Sequence, residues 1–457
     1  MSRTNDLVRV GCICLALFQF SAAAESWKPP APEPTPEETL VLELINRLRA
    51  NPRAEGTLMA GKYRSLMSGF KVDWDMFSSE MDPIKPAQPL VFNLALLAAA
   101  RNHSNYMNLN SQTHEEAAGL PGFTGKTFAD RCRAAGYPSL WVGEDIYRNV
   151  PDVLYSHVGL VVDVGEGPGG MQTGRGHRVN MTDPNYREAG TGIVPLGKRL
   201  TVTHEFGIRQ VPRLAGGVVY TDKNRNCFYD IGEGIGGVKI SSSDGSSTTT
   251  WPSGAFSLEL KGLEEVTLTA EFQGKSYSET FKPGAGNIKF DWRIPQAGEV
   301  EAVDRLLAGV DSVHDKKSSS YFAALGALAD GSSGIGVDPA RQKKIRDLTS
   351  KVGEELDAHK QAVLEILRAS ELTDFQKMAA EHRAPYAGTV AETWFSEAQS
   401  VRNAVLAEKA YKHRVSAGEK LPAAKLELRR QLLALQKQLI HAEFLECVEE
   451  LLKTVTP

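Results

Sequence analysis

The chain has few cysteines, little net charge and no long apolar run. Its 457 residues include five cysteines, and 52 Lys and Arg stand against 56 acids, for a net charge of -4. So sparse a cysteine set excludes a disulfide-stapled scaffold, and a nearly balanced charge gives no broad cationic field for nucleic acid. Apolar residues at 42% and charged residues at 24% are typical of globular proteins. At about 100–200 residues per domain, the length predicts several domains.

The N-terminus has the pattern of a secretory signal. An apolar run from Val10 to Phe20 follows Arg3 and Arg9, and the small residues 21–24 come next. A spanning helix needs roughly 20 apolar residues, so a retained anchor is the disfavoured alternative. We therefore expect residues 1–24 to be a signal peptide, which predicts a secreted, periplasmic or extracellular protein without a transmembrane segment after its removal.

Shifts in composition divide the remainder of the chain into four parts. Proline-rich residues 25–34 predict an extended linker. Residues 35–211 combine amphipathic helices with later short strands, which indicates an α+β domain. Residues 214–295 show short β-runs separated by Gly, Ser and Asp, the pattern of a small β-sandwich. Residues 299–457 are rich in Ala, Leu, Glu, Lys and Arg and predict a helical domain.

Two local patterns within these parts are specific. Thr35-Pro36-Glu37-Glu38 is a capping box with proline at the first helical position, which predicts a helix from Pro36 to about Ala50. Near the C-terminus a leucine seam advances by steps of four and three residues, which is typical of a helical bundle and permits self-association. The simpler alternative is a packed helical domain with solvated charged faces. The seam consists of Leu428, Leu432, Leu435 and Leu439.

Histidines and carboxylates accumulate in one stretch of the α+β domain. Imidazoles titrate near neutrality and carboxylates supply acceptors, so together they share protons or hold divalent cations. No His-Glu-x-x-His helix is present, because Ala118 stands where the second histidine would follow His114. Each histidine alone is more often structural, so a functional interpretation depends on the whole set. The set is His114, Arg131, Glu144, Asp163 and His177.

A series of short blocks follows a fixed order through residues 36–211. The blocks read Leu44-Ile45-Asn46-Arg47-Leu48-Arg49, Thr113-His114, Phe128-Ala129-Asp130-Arg131-Cys132, Gly143-Glu144-Asp145-Ile146, Gly176-His177-Arg178-Val179-Asn180 and Gly190-Thr191-Gly192-Ile193. This order resembles the CAP superfamily of cysteine-rich secretory, antigen 5 and pathogenesis-related proteins, in the bacterial SCP-like form that lacks the disulfides.

The resemblance implies an α-β-α sandwich with a shallow cavity, in which two histidines and two acids meet and take up a divalent ion such as zinc. The corresponding residues are His114, Glu144 and His177, with Asp163 preferred over Glu166 as the fourth. The carboxylates would either bind the ion or orient the imidazoles. The chain departs from the family pattern at Asp145, where the family has asparagine.

The resemblance favours binding over an established reaction. We expect an exported, non-enzymatic protein that binds a ligand or a cell-envelope partner at this cavity. The alternative is a metal-dependent hydrolase that acts on peptide or cell-envelope material through the same residues, since water on such an ion is a better nucleophile. No nucleophile with its base and oxyanion donor can be identified in the sequence, so the question of enzyme activity stays open.

Residues 222–233 have the spacing of an EF-hand loop. Oxygen side chains occupy positions 1, 3, 5, 9 and 12, and position 7 can offer its backbone carbonyl, so we expect calcium here. Cys227 stands at position 6 in place of the usual glycine, which should weaken the site or strain the backbone. The candidate calcium ligands are Asp222, Asn224, Asn226, Phe228, Asp230 and Glu233.

The surroundings of this loop are not those of an EF-hand helix pair. A strand at 218–220 precedes the loop, and Gly-Ile-Gly-Gly-Val follows at 234–238. Both features resemble the calcium-bearing B-type repeats of bacterial surface adhesins. Bound calcium would then stiffen the joint between the first domain and the rest, whereas the alternative is an Asn/Asp-rich turn that satisfies its own backbone in a spacer domain.

Overall fold

The computed structural model describes residues 27–138, 141–314, 319–332, 335–338, 340–349 and 391–416, with scattered residues between 427 and 453. The predicted signal peptide and Leu439 of the seam lie outside these residues. Within the described ranges, the helices are too short or too polar to cross a membrane.

A four-stranded mixed sheet lies at the centre of the N-terminal region. It consists of β1 (Val91–Phe92), β2 (Val142–Val150), β3 (Glu188–Leu196) and β4 (Arg199–Gly207). The strand order is β1-β3-β4-β2, in which β1 runs parallel to β3 and the other neighbours are antiparallel. Gly197 adopts a φ of 62° in the tight turn between β3 and β4.

Helices cover both faces of this sheet. They are α1 (Pro36–Ala50), α2 (Pro52–Leu58), α3 (Trp74–Met81), α4 (Leu94–Leu109), α5 (Phe128–Ala134), α6 (Val153–Val162) and α7 (Gly176–Thr182). The predicted capping box is confirmed, because the Thr35 hydroxyl accepts from the Glu38 amide and the Glu38 carboxylate accepts from the Thr35 amide. Helix α1 therefore begins and ends where the sequence predicts.

Alternate residues of β3 face the two helical layers. A Cβ added to Gly190 or Gly192 would lie 2.1 to 2.2 Å from the backbone of α4, so only glycine lets this helix approach so closely. The intervening Thr191 donates its hydroxyl to the Glu38 carbonyl of α1 at 2.8 Å. Side chains alternate between the faces of a strand, so the sheet lies between α4 and α1 in an α-β-α arrangement.

The proline-rich segment before α1 is attached to the N-terminal region. Arg101 of α4 donates to the carbonyls of Ala31 and Glu33, each at 2.8 Å. The same guanidinium forms a buried ion pair with Glu38, with a closest distance of 2.6 Å. Residues 31–33 of the expected extended linker lie against the domain, because Arg101 binds both this segment and α1.

Two further sheets follow between residues 213 and 293. Their strands are β5 (Arg213–Tyr220), β6 (Lys239–Ser242), β7 (Ser247–Thr249), β8 (Ala255–Leu260), β9 (Val266–Phe272), β10 (Lys275–Phe281), β11 (Ile288–Lys289) and β12 (Trp292–Arg293). One sheet has the order β10-β9-β6-β7, and in the other β5 pairs with β8 on one side and with β11 and β12 on the other. Residues of both sheets share one apolar core, so the chain is a multi-domain α+β protein.

The core of the N-terminal region continues into residues 213–260. Val218 and Tyr229 belong to the same buried cluster as Val41 of α1. The ring of Trp251 meets Phe92 of β1 edge-on at 6.2 Å between centroids. The two regions therefore share a buried seam rather than a flexible joint.

The described residues after 298 are helical for the most part. Helices α8 (Glu299–Ser312) and α9 (Ser319–Ser332) share an apolar core with Val337, and α10 spans Ala391–Ser416. Leu428 and Leu432 of the predicted seam are buried. Their assembly into a bundle stays a prediction.

Candidate functional site

His114 is hydrogen-bonded to Glu144 at one end of the central sheet. His114 lies after α4 and its Nδ1 is 2.8 Å from Oε1 of Glu144 on β2. Arg131 of α5 donates to the other carboxylate oxygen and, at 3.1 Å, to the His114 carbonyl. The Glu144 side chain is fully buried, whereas that of His114 is 52% exposed. Both oxygens of Glu144 therefore accept hydrogen bonds. The buried carboxylate fixes the position of the half-exposed His114 imidazole.

The charge of Glu144 is maintained by its neighbours. Burial by itself would favour the neutral acid, but the hydrogen bond from His114 and the charges of His103 and Arg131 hold the pKa of Glu144 below its usual value. A carboxylate that stays ionised keeps the proton of His114 on Nδ1, which leaves Nε2 as the basic nitrogen.

A second histidine–carboxylate pair has the same design. His177 in the first turn of α7 places Nδ1 2.7 Å from Oδ1 of Asp163, and its amide donates to Oδ2 at 3.2 Å. Asp163 ends α6 in the left-handed conformation with a φ of 61°, which turns its carboxylate towards α7. Burial opposes protonation of His177, but the hydrogen bond with Asp163 and the charge of Asp163 raise its pKa.

The two pairs are joined through α7 and β2. Asn180, one turn after His177, donates to Asp145 Oδ1 at 2.8 Å and to the Glu144 carbonyl at 3.3 Å. Asp145 is also near enough to His177 to influence its pKa. Glu166, the alternative fourth residue, is exposed and makes no hydrogen bond with either histidine among the described residues.

The arrangement favours imidazole donors over carboxylate donors for a cation. All four carboxylate oxygens of Glu144 and Asp163 accept hydrogen bonds, whereas neither Nε2 atom has such a partner in the part of the chain that the structure describes. Over the same residues, no three His, Cys, Asp or Glu side chains form a metal-holding group. Metal binding by the two imidazoles stays a prediction, in which the carboxylates would orient the rings.

A layer of ionisable residues lies beneath this site, and the sequence analysis did not identify it. Glu205 of β4 lies opposite Glu144, His204 lies opposite Asp145, and all four are buried. Burial and the charge of Glu144 raise the pKa of Glu205 well above its usual value. The signal was present, since His204-Glu205 interrupts an otherwise apolar and threonine-rich strand.

Comparison with protein families identifies the first region. Residues 42–206 match the family model described as Cysteine-rich secretory protein family, CAP. This stretch is a CAP domain. It contains both histidine–carboxylate pairs, and the α-β-α arrangement agrees with the resemblance drawn from the sequence blocks. Searches of curated proteins and of solved structures gave no match to the chain.

The 222–233 loop lies at the seam between the CAP domain and the following sheets. Arg47 of α1 stacks its guanidinium 4.6 Å from the centre of the Phe228 ring, and the Tyr229 hydroxyl donates to the Pro36 carbonyl at 3.4 Å. Arg293 lies 3.6 Å from Asp222 and 2.9 Å from Glu299 of α8. The loop thus contacts α1 on one side and Arg293 of β12 on the other.

The acidic side chains of the loop form most of their hydrogen bonds with other residues of the loop. Both Asp222 oxygens accept backbone amides, those of Asn226 and Cys227, at 3.0 Å. The side-chain amides of Asn224 and Asn226 converge on one oxygen of Asp230, at 2.7 and 2.6 Å. Asp222, Asn224, Asn226 and Asp230 are therefore joined by hydrogen bonds within the loop.

Two predicted ligands and the substituted position behave differently. The Glu233 oxygens accept from the amides of Lys223 at 2.7 Å and Asp230 at 3.0 Å, so the side chain closes the loop on itself. The amide of Phe228 donates to Asn226 at 2.8 Å. Cys227 adopts a φ of 58°, the left-handed conformation that favours the glycine usual at this position.

Proposed function

We propose that this chain is an exported binding protein whose CAP domain recognises a ligand or cell-envelope partner at the His114–His177 site. A divalent ion such as zinc is held there by the Nε2 atoms of the two histidines. One observation carries the proposal: each imidazole is hydrogen-bonded through Nδ1 to a buried carboxylate, which leaves Nε2 without a hydrogen bond among the described residues. The CAP match supports the binding role.

Each residue has a defined task in this proposal. Glu144, itself fixed by Arg131, orients His114, and Asp163 orients His177. A bound ion would supply an electrophilic centre for oxygen or nitrogen atoms of the ligand. Because a proton on His177 competes with the ion, uptake should strengthen as the pH rises through the raised pKa of that residue.

The same geometry favours binding over hydrolysis. A general base needs a free acceptor within hydrogen-bond reach of the attacking water. Both oxygens of Glu144 already accept from His114 and Arg131, and both oxygens of Asp163 accept from His177. A hydrolase working through these residues would therefore use an imidazole Nε2 rather than a carboxylate oxygen as its base.

Zinc uptake by the purified full chain tests the proposal. Calorimetry and elemental analysis should detect uptake by the wild type and a loss of about tenfold or more in affinity for a His114→Ala/His177→Ala variant. The matched control is His314→Ala, which removes an exposed histidine outside the site. Unchanged uptake in the double variant would contradict the assignment. Peptide turnover that disappears in Glu144→Gln would favour the hydrolase instead.

The calcium site at 222–233 is part of the same proposal. Calcium held by the loop would stiffen the seam, because Phe228 and Tyr229 contact α1 on one side while Asp222 faces Arg293 on the other. Extracellular calcium is near millimolar, so a weak site would fill there. The spacing of the oxygen side chains and the left-handed Cys227 support this assignment.

The role of residues 299–457 follows from the export proposal. We assign this helical region to docking at the cell envelope or to self-association. Sedimentation of the full chain at several concentrations separates the two, since a constant mass across the range would contradict self-association.

A further inference from the structure

A cleft of about 250 Å³ opens at the seam, away from the His114–His177 site. Helix α1 forms one wall, the segment before β1 a second, and the loop and the β11–β12 segment the others. The side chains that line the cleft include Glu43, Arg47, Ala50, Phe228, Lys289 and Asp291. The volume lies below the roughly 300–1,000 Å³ of drug-sized pockets, so the cleft fits a small group.

The charges in this cleft do not balance. Lys289 lies 2.9 Å from Glu43 and also pairs with Asp291, so one ammonium serves two carboxylates. The charge of Arg47 is already matched by Glu55, because its Nε and Nη2 atoms each lie 2.7 Å from a Glu55 oxygen. Two carboxyl groups inside the cleft therefore share a single ammonium.

Glu43 is the residue left incompletely paired. Its side chain is 8% exposed, and Lys289 binds Oε2. Among the described residues no hydrogen bond reaches Oε1, although the residue lines the cleft. An incompletely paired acceptor, more than nine-tenths buried in a cavity, marks the place where a ligand donor would bind.

We propose that this cleft binds a primary ammonium group carried on a short apolar chain, through Glu43 Oε1 and the shared carboxylate of Asp291. Ala50, Ala87 and Pro89 supply apolar walls for the chain. The ammonium completes the charge balance that Lys289 leaves open. A free amine and a lysine side chain of a peptide share this chemistry. The inference does not depend on metal binding at the CAP site.

The protonation of Glu43 gives the cleft a recognisable pH signature. Burial raises the pKa of Glu43 to about 7. The charge of Asp291 contributes to this rise in pKa, and the charge of Lys289 offsets only part of it. The other ionisable groups around it are Arg47 and the phenols of Tyr220 and Tyr229. An incoming cation displaces the Glu43 proton, so affinity should rise by about tenfold between pH 6 and pH 8 and then level off.

Calorimetric titration of the full chain with n-butylammonium chloride tests the proposal, with sodium chloride at matched ionic strength as the reference. The wild type should show saturable binding that releases close to one proton at pH 6. Glu43→Gln should weaken binding by about tenfold or more and remove the pH dependence. The control Glu264→Gln removes an exposed carboxylate away from the cleft and should change nothing.

A second variant separates loss of the site from loss of the fold. Ala50 is exposed at the end of α1, and Ala50→Leu narrows the cleft without altering a charge or the core. It should weaken butylammonium binding at least about fivefold while leaving the melting temperature unchanged. Nα-acetyl-lysine N-methylamide is the second probe, and its binding extends the site to lysine side chains. Equal affinity in the wild type, Glu43→Gln and Ala50→Leu, or no saturable binding in the wild type, would overturn the proposal.

Discussion

Oδ2 of Asp145 lies 4.0 Å from Nδ1 of His204, and neither atom has a hydrogen-bond partner among the described residues. Burial raises the pKa of Asp145 to about 8 and lowers the pKa of His204 to about 3. At neutral pH the two side chains therefore face each other uncharged. A neutral Asp145 carries an O–H donor, so it replaces the donor of the asparagine that the family has at this position.

The first prediction concerns Asp145→Asn. The folded pKa of Asp145 is above its unfolded value, so its favourable contribution is complete below about pH 4 and is lost as the pH rises through about 8. Asparagine has no such loss. We expect the variant to exceed the wild type in free energy of unfolding by about 1–3 kcal/mol at pH 9, with a smaller difference at pH 5. Urea denaturation at both values measures this, and equal curves at pH 9 would contradict it.

The second prediction concerns the hydrogen bond between Asp163 and His177. Asp163→Asn removes the charge that favours imidazolium, so the pKa of His177 should fall. Titration of the ring protons by NMR should show a midpoint at lower pH for His177 in the variant than in the wild type. A His177 midpoint that does not move would show that Asp163 does not control this ring.

The third prediction concerns the buried ion pair of Arg47 with Glu55. Glu55 is 2% exposed, and hydrogen bonds from His157 and Arg47 outweigh burial and lower its pKa to about 2. Arg47→Met leaves this carboxylate without its main partner and should cost about 3 kcal/mol of unfolding free energy. The control Arg53→Met, in an exposed pair with Asp82, should cost less than about 0.5 kcal/mol.

A double variant checks the cause of that loss. In Arg47→Met/Glu55→Gln no unpaired charge stays buried, so stability should recover by about 1 kcal/mol or more relative to the single variant. Chemical denaturation of the four proteins closes the cycle. Strictly additive losses would mean that the stacking of Arg47 on Phe228, not the ion pair, explains its effect.

The fourth prediction concerns the strained position of the loop. Cys227→Gly relieves a left-handed backbone that costs a non-glycine residue about 1–2 kcal/mol, partly offset by the greater freedom of unfolded glycine. We expect a rise of about 0.5–1 kcal/mol in stability and a tighter calcium site. Calorimetry should show that calcium raises the melting temperature of the wild type and raises that of the variant further. No calcium effect on either protein would exclude a calcium site.

Local features of the fold were accessible from the sequence. The capping box at Thr35 places the start of α1 because its hydrogen bonds span three residues. The shared core between Tyr229 and α1 was not accessible, since it joins segments nearly 200 positions apart that carry no pattern of their own. The attachment of the segment at Ala31 by Arg101 was missed for the same reason.

The candidate site shows the same division. Spacing alone did not bring His114 near Glu144, and only the resemblance suggested that these residues meet. Both imidazoles pair with carboxylates through Nδ1. This choice of nitrogen depends on side-chain directions that cannot be read from the sequence. Glu205 was overlooked because a carboxylate inside a strand reads as solvent-facing, whereas here its strand is covered on both faces.

The shared seam also restricts how this chain could have evolved. The hydroxyl of Thr39 in α1 donates to that of Ser253 at 2.8 Å, in the middle of buried apolar contacts. Domains joined only by a linker can be exchanged by gene fusion. A CAP domain separated from this chain would instead expose the apolar surface that the following sheets bury. The two units should therefore be stable only when they are expressed as one chain.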